Sequence, residues 1–188
     1  MNATLPQRRS IRLQGYDYTL QGIYFVTICI QYRTCLLGKI IDSEMVLNDA
    51  GEMVMQVYPR LANKFADIEC HDVIVMPNHI HFIIQNIGYN KDTNTVEADP
   101  CVCLGNEIKN TDEHIGSSLP RIIQWFKTMT TNYYIQGVKS KNWQAFDRRL
   151  WQRNYYEHIV RNHQSAIRIV QYINHNPAHW QTDSYFVN

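Results

Sequence analysis

The stretch Val73–Gln85, VIVMPNHIHFIIQ, constrains the fold more than any other part of the chain. Two apolar, β-branched runs flank Pro77-Asn78, a turn-forming dipeptide. They predict strands at Asp72–Met76 and His79–Gln85, joined as a hairpin or as one bent strand. Side chains two apart on a strand share a face, so His79 and His81 project together while Ile80 and Phe82 turn into a core. Such a pair is half of a metal site. The other half is expected in Gln171–Trp180, QYINHNPAHW, where Tyr172 and Asn176 stand four apart on the last predicted helix and share its face. A tyrosine, an amide and two imidazoles set a nucleophile beside a cation.

The remaining pattern places these segments in one domain. Gly22–Tyr32, GIYFVTICIQY, is β-branched and aromatic and predicts a strand. Asn48–Phe65 predicts a helix, capped by Asn48 and apolar at Met53, Val57 and Leu61. Ser118–Tyr134 predicts a second helix with Ile122, Phe126 and Met129 on one stripe. Leu150–Val160 is the expected fourth strand. Asn162–His175 is the last helix, with Ala166, Ile169, Val170 and Ile173 as its buried arc and Tyr172 and Asn176 on the flank of that arc. Pro177 disfavours helical geometry at the residue before it, so this helix is expected to end at about Asn176. The order strand, helix, two strands, helix, strand predicts an α+β fold: a ferredoxin-like split βαβ sandwich whose antiparallel sheet carries helices on one face, plus a C-terminal helix with the tyrosine.

A chain of 188 residues, 45% apolar, supplies one good core and not two, so 1–188 is expected to be a single domain. No apolar run reaches the roughly 18 residues that span a bilayer. Met1–Leu13 holds three arginines and no apolar stretch after them, unlike a secretory signal. Five scattered cysteines lack paired CxxC spacing, which suits reduced thiols. These features point to a cytoplasmic protein without membrane association. Cys101 and Cys103 are a minor metal alternative.

The formal net charge of +1 conceals an uneven distribution. Between Asn86 and Ser117 lie six acidic residues against Lys91 and Lys109, in a polar, aperiodic segment read as a long variable loop (86–117). The rest of the chain is therefore basic. Arg8, Arg9 and Arg12 open it, and Arg148, Arg149, Arg153, Arg161 and Arg168 recur around Trp151, Tyr155 and Tyr156. Cations alternating with aromatic rings suit single-stranded nucleic acid, because guanidiniums neutralise phosphates while rings stack on unpaired bases. For any one arginine alone, a solvated surface is the plainer explanation.

Five ordered blocks, GYDYTLQGIYFVTIC at Gly15–Cys29, VMPNHIHFII at Val75–Ile84, FKTMTT at Phe126–Thr131, LWQRNYYEHIVRN at Leu150–Asn162 and YINHNPAHW at Tyr172–Trp180, together resemble the REP-associated tyrosine transposases. These are relatives of small single-tyrosine transposases sharing a His-hydrophobe-His signature. The resemblance implies that His79 and His81 bind a metal, that Asn176 is the third ligand and that Tyr172 is the nucleophile. It implies Mg²⁺ or Mn²⁺ as cofactor and, as partner, a single-stranded DNA hairpin from palindromic repeats. Attack by Tyr172 would leave a 5′-phosphotyrosine link and a free 3′-hydroxyl. Gly15, Tyr16 and Tyr18 fall in a block expected to hold DNA or to pack a strand edge, and Lys127, Arg149, Arg153 and Arg161 are further candidate DNA contacts. A hairpin-binding protein of the same fold that does not cut is the alternative, and monomer and homodimer both stay open.

Overall fold

The computed structural model describes residues 17–88 and 117–187. In chain order these form β1 (Gly22–Cys29), β2 (Gly38–Ile41), β3 (Glu44–Leu47), α1 (Asp49–Val57), α2 (Arg60–Lys64), β4 (Ile68–Met76), β5 (His79–Asn86), α3 (Leu119–Lys141), β6 (Tyr156–Val160) and α4 (His163–His175). The main sheet runs β4-β5-β1-β6 and is antiparallel at every pairing. That is the split βαβ order, with β2 and β3 forming a separate hairpin.

The alternation along β1 and β5 decides what lies on each face. Tyr24, Val26 and Ile28 of β1 join Ile80, Phe82 and Ile84 of β5 in the main core, closed by Val54 of α1 and Ile122 and Phe126 of α3. Fully burying each such side chain stabilises the fold by about 1.5–3 kcal/mol. The opposite face carries Phe25 and Ile83, which pack with Ile173 of α4 in a small second cluster. So α1 to α3 cover one face, and α4 crosses the face on which His79 and His81 lie. Among the described residues, no helix is long and apolar enough to cross a membrane.

Several boundaries differ from the sequence expectation, each for a local reason. The predicted Asn48–Phe65 helix breaks at Tyr58-Pro59, because Pro59 cannot continue the hydrogen-bond ladder and instead starts α2. Asn48 does cap α1, accepting from the Gly51 amide at 2.9 Å. The β2–β3 hairpin was not expected, since its strands are four residues each and its turn, Asp42-Ser43 with φ of 49° and 66°, lacks the usual glycine. The first strand stops at Cys29, where the chain enters a 3₁₀ turn at Gln31–Arg33. The fourth strand keeps only Tyr156–Val160 of Leu150–Val160. Helix α3 runs seven residues past Tyr134 and closes on Asn142 in the left-handed region, φ 56°. Gly137 allows this: a Cβ there would sit 2.1 Å from the Trp143 ring that folds back over the helix. The asserted loop 86–117 lies almost wholly outside the described residues, as do Cys101 and Cys103.

Candidate metal and nucleophile site

The Pro77-Asn78 turn and the register of β5 build one side of the site. Cys29 pairs with His79 and Thr27 with His81 across β1 and β5, so Thr27, His79 and His81 share a face. The two imidazoles are almost fully buried, and their Nε2 atoms lie 2.9 Å apart. Asn78 donates from Nδ2 to the carbonyls of Arg33 (3.0 Å) and Tyr185 (2.9 Å). Its Oδ1 therefore faces His79 Nδ1 at 2.8 Å and requires the proton there, which leaves His79 Nε2 with a bare lone pair. Thr27 Oγ1 stands 2.7 Å from His81 Nδ1 and, as a hydroxyl, serves either tautomer.

Helix α4 supplies the other side. Asn162 caps it, accepting from the Ser165 amide at 2.8 Å, and Ile173 anchors it on the sheet. This sets the Tyr172 hydroxyl 3.3 Å from His81 Nε2. Pro177 does not extend Asn176, which stays helical (φ −57°, ψ −41°), because the proline fits the first position of the following 3₁₀ helix Pro177–Thr182. That helix carries the chain back over the histidines. Asn176 Nδ2 donates to Asp183 Oδ2 at 3.0 Å, and donor atoms of His79, His81 and Asp183 come within 4.8 Å of one another. Tyr185 then lies over the pair, its ring 4.7 Å from that of His79.

Burial keeps both imidazoles neutral. It draws His79 down to about 3, helped by the positive charge of Arg33. It takes His81 well below its ordinary value, with His79 adding to the effect and Asp183 opposing it. Burial also pushes the Tyr172 phenol up to about 12, with the Asp183 carboxylate acting in the same direction and a hydrogen bond from Asn176 against it. The resting tyrosine is thus a poor nucleophile.

The donor set fits a divalent cation. Two neutral imidazole nitrogens 2.9 Å apart match adjacent ligands on one ion, where bonds of about 2.1 Å set an edge of about 3.0 Å. A carboxylate completes the cluster, and Asn176 Oδ1 is buried without a hydrogen-bond partner among the described residues. Two imidazoles with oxygen donors form a ligand set for a divalent cation.

The structure brings His79, His81, Tyr172 and Asn176 into one place within a single chain. It also brings Asp183, Asn78, Thr27 and Tyr185, which sequence reasoning did not select. Asn78 had a signal, standing next to His79 in the turn; Asp183 and Tyr185 had none, since TDSYFVN has no periodicity. The candidate DNA contacts divide. Arg8, Arg9, Arg12, Gly15 and Tyr16 lie outside the described residues. Tyr18 is buried, its ring 6.1 Å from that of Tyr24. The Lys127 ammonium, drawn down to about 8 by burial, donates to the carbonyls of Gln152, Arg153 and Asn154. Arg149 and Arg153 are exposed beside the C-terminal end of β1. Arg161 follows Val160, which pairs with Ile23, so it sits at the far end of the sheet, about 20 Å from Cys29.

A His-x-His pair on an inner strand of a four-stranded antiparallel split βαβ sheet, met by a tyrosine from a C-terminal helix, defines an HUH-transposase-like architecture with a candidate metal site. No family model matches the chain. A Haemophilus influenzae protein without an assigned function is 38% identical over 189 aligned positions, covering 100% of this chain and 97% of its own. A second protein from that organism, described as a candidate REP-associated tyrosine transposase, is 24% identical over 162 residues, 86% of this chain and 73% of its own. The chain belongs to one family with the first of these proteins, and over most of its length it is similar in sequence to the second, described as a candidate REP-associated tyrosine transposase. Among solved structures, a REP-associated tyrosine transposase bound to a REP hairpin gives a TM-score of 0.48 at 17% identity, over 88% of this chain and 73% of that one. A candidate transposase from Deinococcus radiodurans gives 0.44 at 17% identity, over 88% and 96%.

Proposed function

We propose that the protein is a metal-dependent single-stranded DNA endonuclease and strand-transferase that acts on hairpins of palindromic repeats through Tyr172. The observation that carries this reading is the Tyr172 hydroxyl 3.3 Å from His81 Nε2, beside a buried pair of neutral imidazoles and a carboxylate. His79, His81 and Asp183 would hold the ion, with Asn176 Oδ1 as a further oxygen donor. A bound Mg²⁺ or Mn²⁺ supplies positive charge that lowers the cost of the phenolate and polarises the scissile phosphate.

The residues of the chain do the rest. Tyr172 Oη bonds to phosphorus, the phosphorus–O3′ bond breaks, and the departing oxygen takes a proton to leave as a 3′-hydroxyl. The phenol proton is released to solvent water, and solvent supplies the proton that the departing oxygen takes. The 5′ side stays on Tyr172 as a phosphodiester, so the strand is rejoined without ATP. Arg149 and Arg153 are the proposed phosphate contacts at the site's end of the sheet, and Arg161 follows the stem at the far end. Lys127 acts through the loop it holds. All the reacting groups come from one chain, which favours a monomeric unit of chemistry.

Incubation of the protein with labelled hairpins from repeats flanking its gene, with and without Mn²⁺, tests this. The expected result is a metal-dependent covalent adduct on Tyr172 by peptide mass, lost in Tyr172→Phe and His79→Ala and kept in Tyr185→Phe. Tight hairpin binding without an adduct would favour a non-cleaving binding protein. An adduct that survives Tyr172→Phe and is lost in Tyr185→Phe would move the nucleophile to the C-terminal segment.

A further inference from the structure

Beside the metal site, and separate from it, lies a cavity of about 480 Å³ with a mostly polar lining. Gln31, Tyr32, Arg148, Arg149, Gln152, Arg153 and Asn154 line it, giving three guanidiniums, three amides and one aromatic ring with no carboxylate among the lining residues. Tyr32 is 61% exposed, high for a large aromatic residue. It is presented by backbone that disfavours it: Tyr32, Arg33 and Arg148 all have positive φ, at 60°, 57° and 59°. Non-glycine residues hold that conformation only where their surroundings impose it.

Those surroundings are built on both sides of the cavity. The turn that carries Tyr32 is pinned by Asn78, which donates to the Arg33 carbonyl. The loop that carries Arg153 is pinned by Lys127, a half-buried ammonium given over to the carbonyls of Gln152, Arg153 and Asn154. The Gln152 amide donates to the Cys29 carbonyl at 2.9 Å, and Trp151 bridges to Ile30, which ties the loop to the end of β1. Three hydrogen bonds from one ammonium hold the shape of this surface loop. Cys29 is in register with His79, so the cavity opens next to the metal site at the same end of the sheet.

We propose that this cavity takes an unpaired DNA nucleotide beside the hairpin stem: its base stacks on Tyr32, the amides of Gln152 and Asn154 meet the base edge, and Arg148, Arg149 and Arg153 meet the flanking phosphates. Rings and guanidiniums in one groove are the chemistry that holds single strands. The inference rests on the reading that the protein binds single-stranded DNA and adds the position at which unpaired bases are held.

Binding can be read without metal, and so without cleavage, by fluorescence anisotropy. The full chain is titrated with one labelled DNA hairpin, either blunt or carrying a short mixed-sequence single-stranded tail. The wild type is expected to bind the tailed hairpin more tightly. Tyr32→Ala should weaken that binding about tenfold, the size of one base–aromatic stack, and leave the blunt hairpin unchanged. Tyr32→Phe should bind as the wild type does, and Arg153→Gln should lower the salt dependence of tailed binding. Thermal melting verifies that each variant is folded. A tail that adds no affinity, or a Tyr32→Ala variant that weakens blunt and tailed hairpins alike, overturns the pocket while leaving hairpin binding standing. Wild-type protein that binds neither hairpin overturns both readings, and tighter binding of an RNA tail would reassign the cavity to RNA.

Discussion

At the scale of single residues, Asp183 changes the picture of the metal site. Two imidazoles and one amide form a neutral set, whereas the carboxylate brings a charge within 4.8 Å of both histidines. Asp183→Asn is therefore expected to weaken Mn²⁺ binding at least tenfold by calorimetry, and Asn176→Ala, which frees the carboxylate from its 3.0 Å hydrogen bond, to weaken it about tenfold. An unchanged affinity in Asp183→Asn would return the third ligand to Asn176 alone. The buried histidines also make the metal-free protein sensitive to acid. His79 falls from 6.5 to about 3 on folding, so between those values the unfolded chain binds the proton and the folded one does not. Stability from this group is complete above about pH 6.5 and drains as pH falls toward 3. In the presence of chelator, the melting temperature should fall across that window, and the fall should shrink in His79→Gln.

At the scale of elements, the sheet is held in register by a buried phenol. β4 shifts register between Cys70 and Val73, which leaves backbone groups out of step with β5. Tyr58 fills the gap: its hydroxyl donates to the Ile83 carbonyl at 2.6 Å and accepts from the His71 amide at 3.1 Å. Burial pushes this phenol far above its ordinary value, so it stays a neutral donor. Tyr58→Phe is expected to cost about 1–3 kcal/mol in denaturant unfolding, because the buried Ile83 carbonyl and the part-buried His71 amide lose this partner. Amide exchange at His71 should quicken with it. Ile83 belongs to the cluster that seats α4, so the same change should loosen the helix that carries Tyr172.

At the scale of the whole molecule, His81 from β5 and Tyr172 from α4 meet within one chain, although 91 positions separate them in sequence. Mixing Tyr172→Phe with His79→Ala protein is accordingly expected to restore no adduct. Restored activity would mean that the tyrosine helix of one subunit serves the site of another. Alternation in HIHFII and helical spacing in YINHN, both local rules, made the histidine face, the tyrosine helix and the split βαβ order legible in the sequence by itself. Tertiary structure alone decided the rest. Asp183 and Tyr185 reach the histidines only because α4 packs across the sheet and Pro177 starts a helix that turns the chain back. The Tyr32 cavity exists only because Lys127 gathers three carbonyls from a loop 25 to 27 residues away. Contacts between segments without periodicity leave no mark on local spacing, because it is burial across the fold, and not the neighbouring residues, that sets their energy.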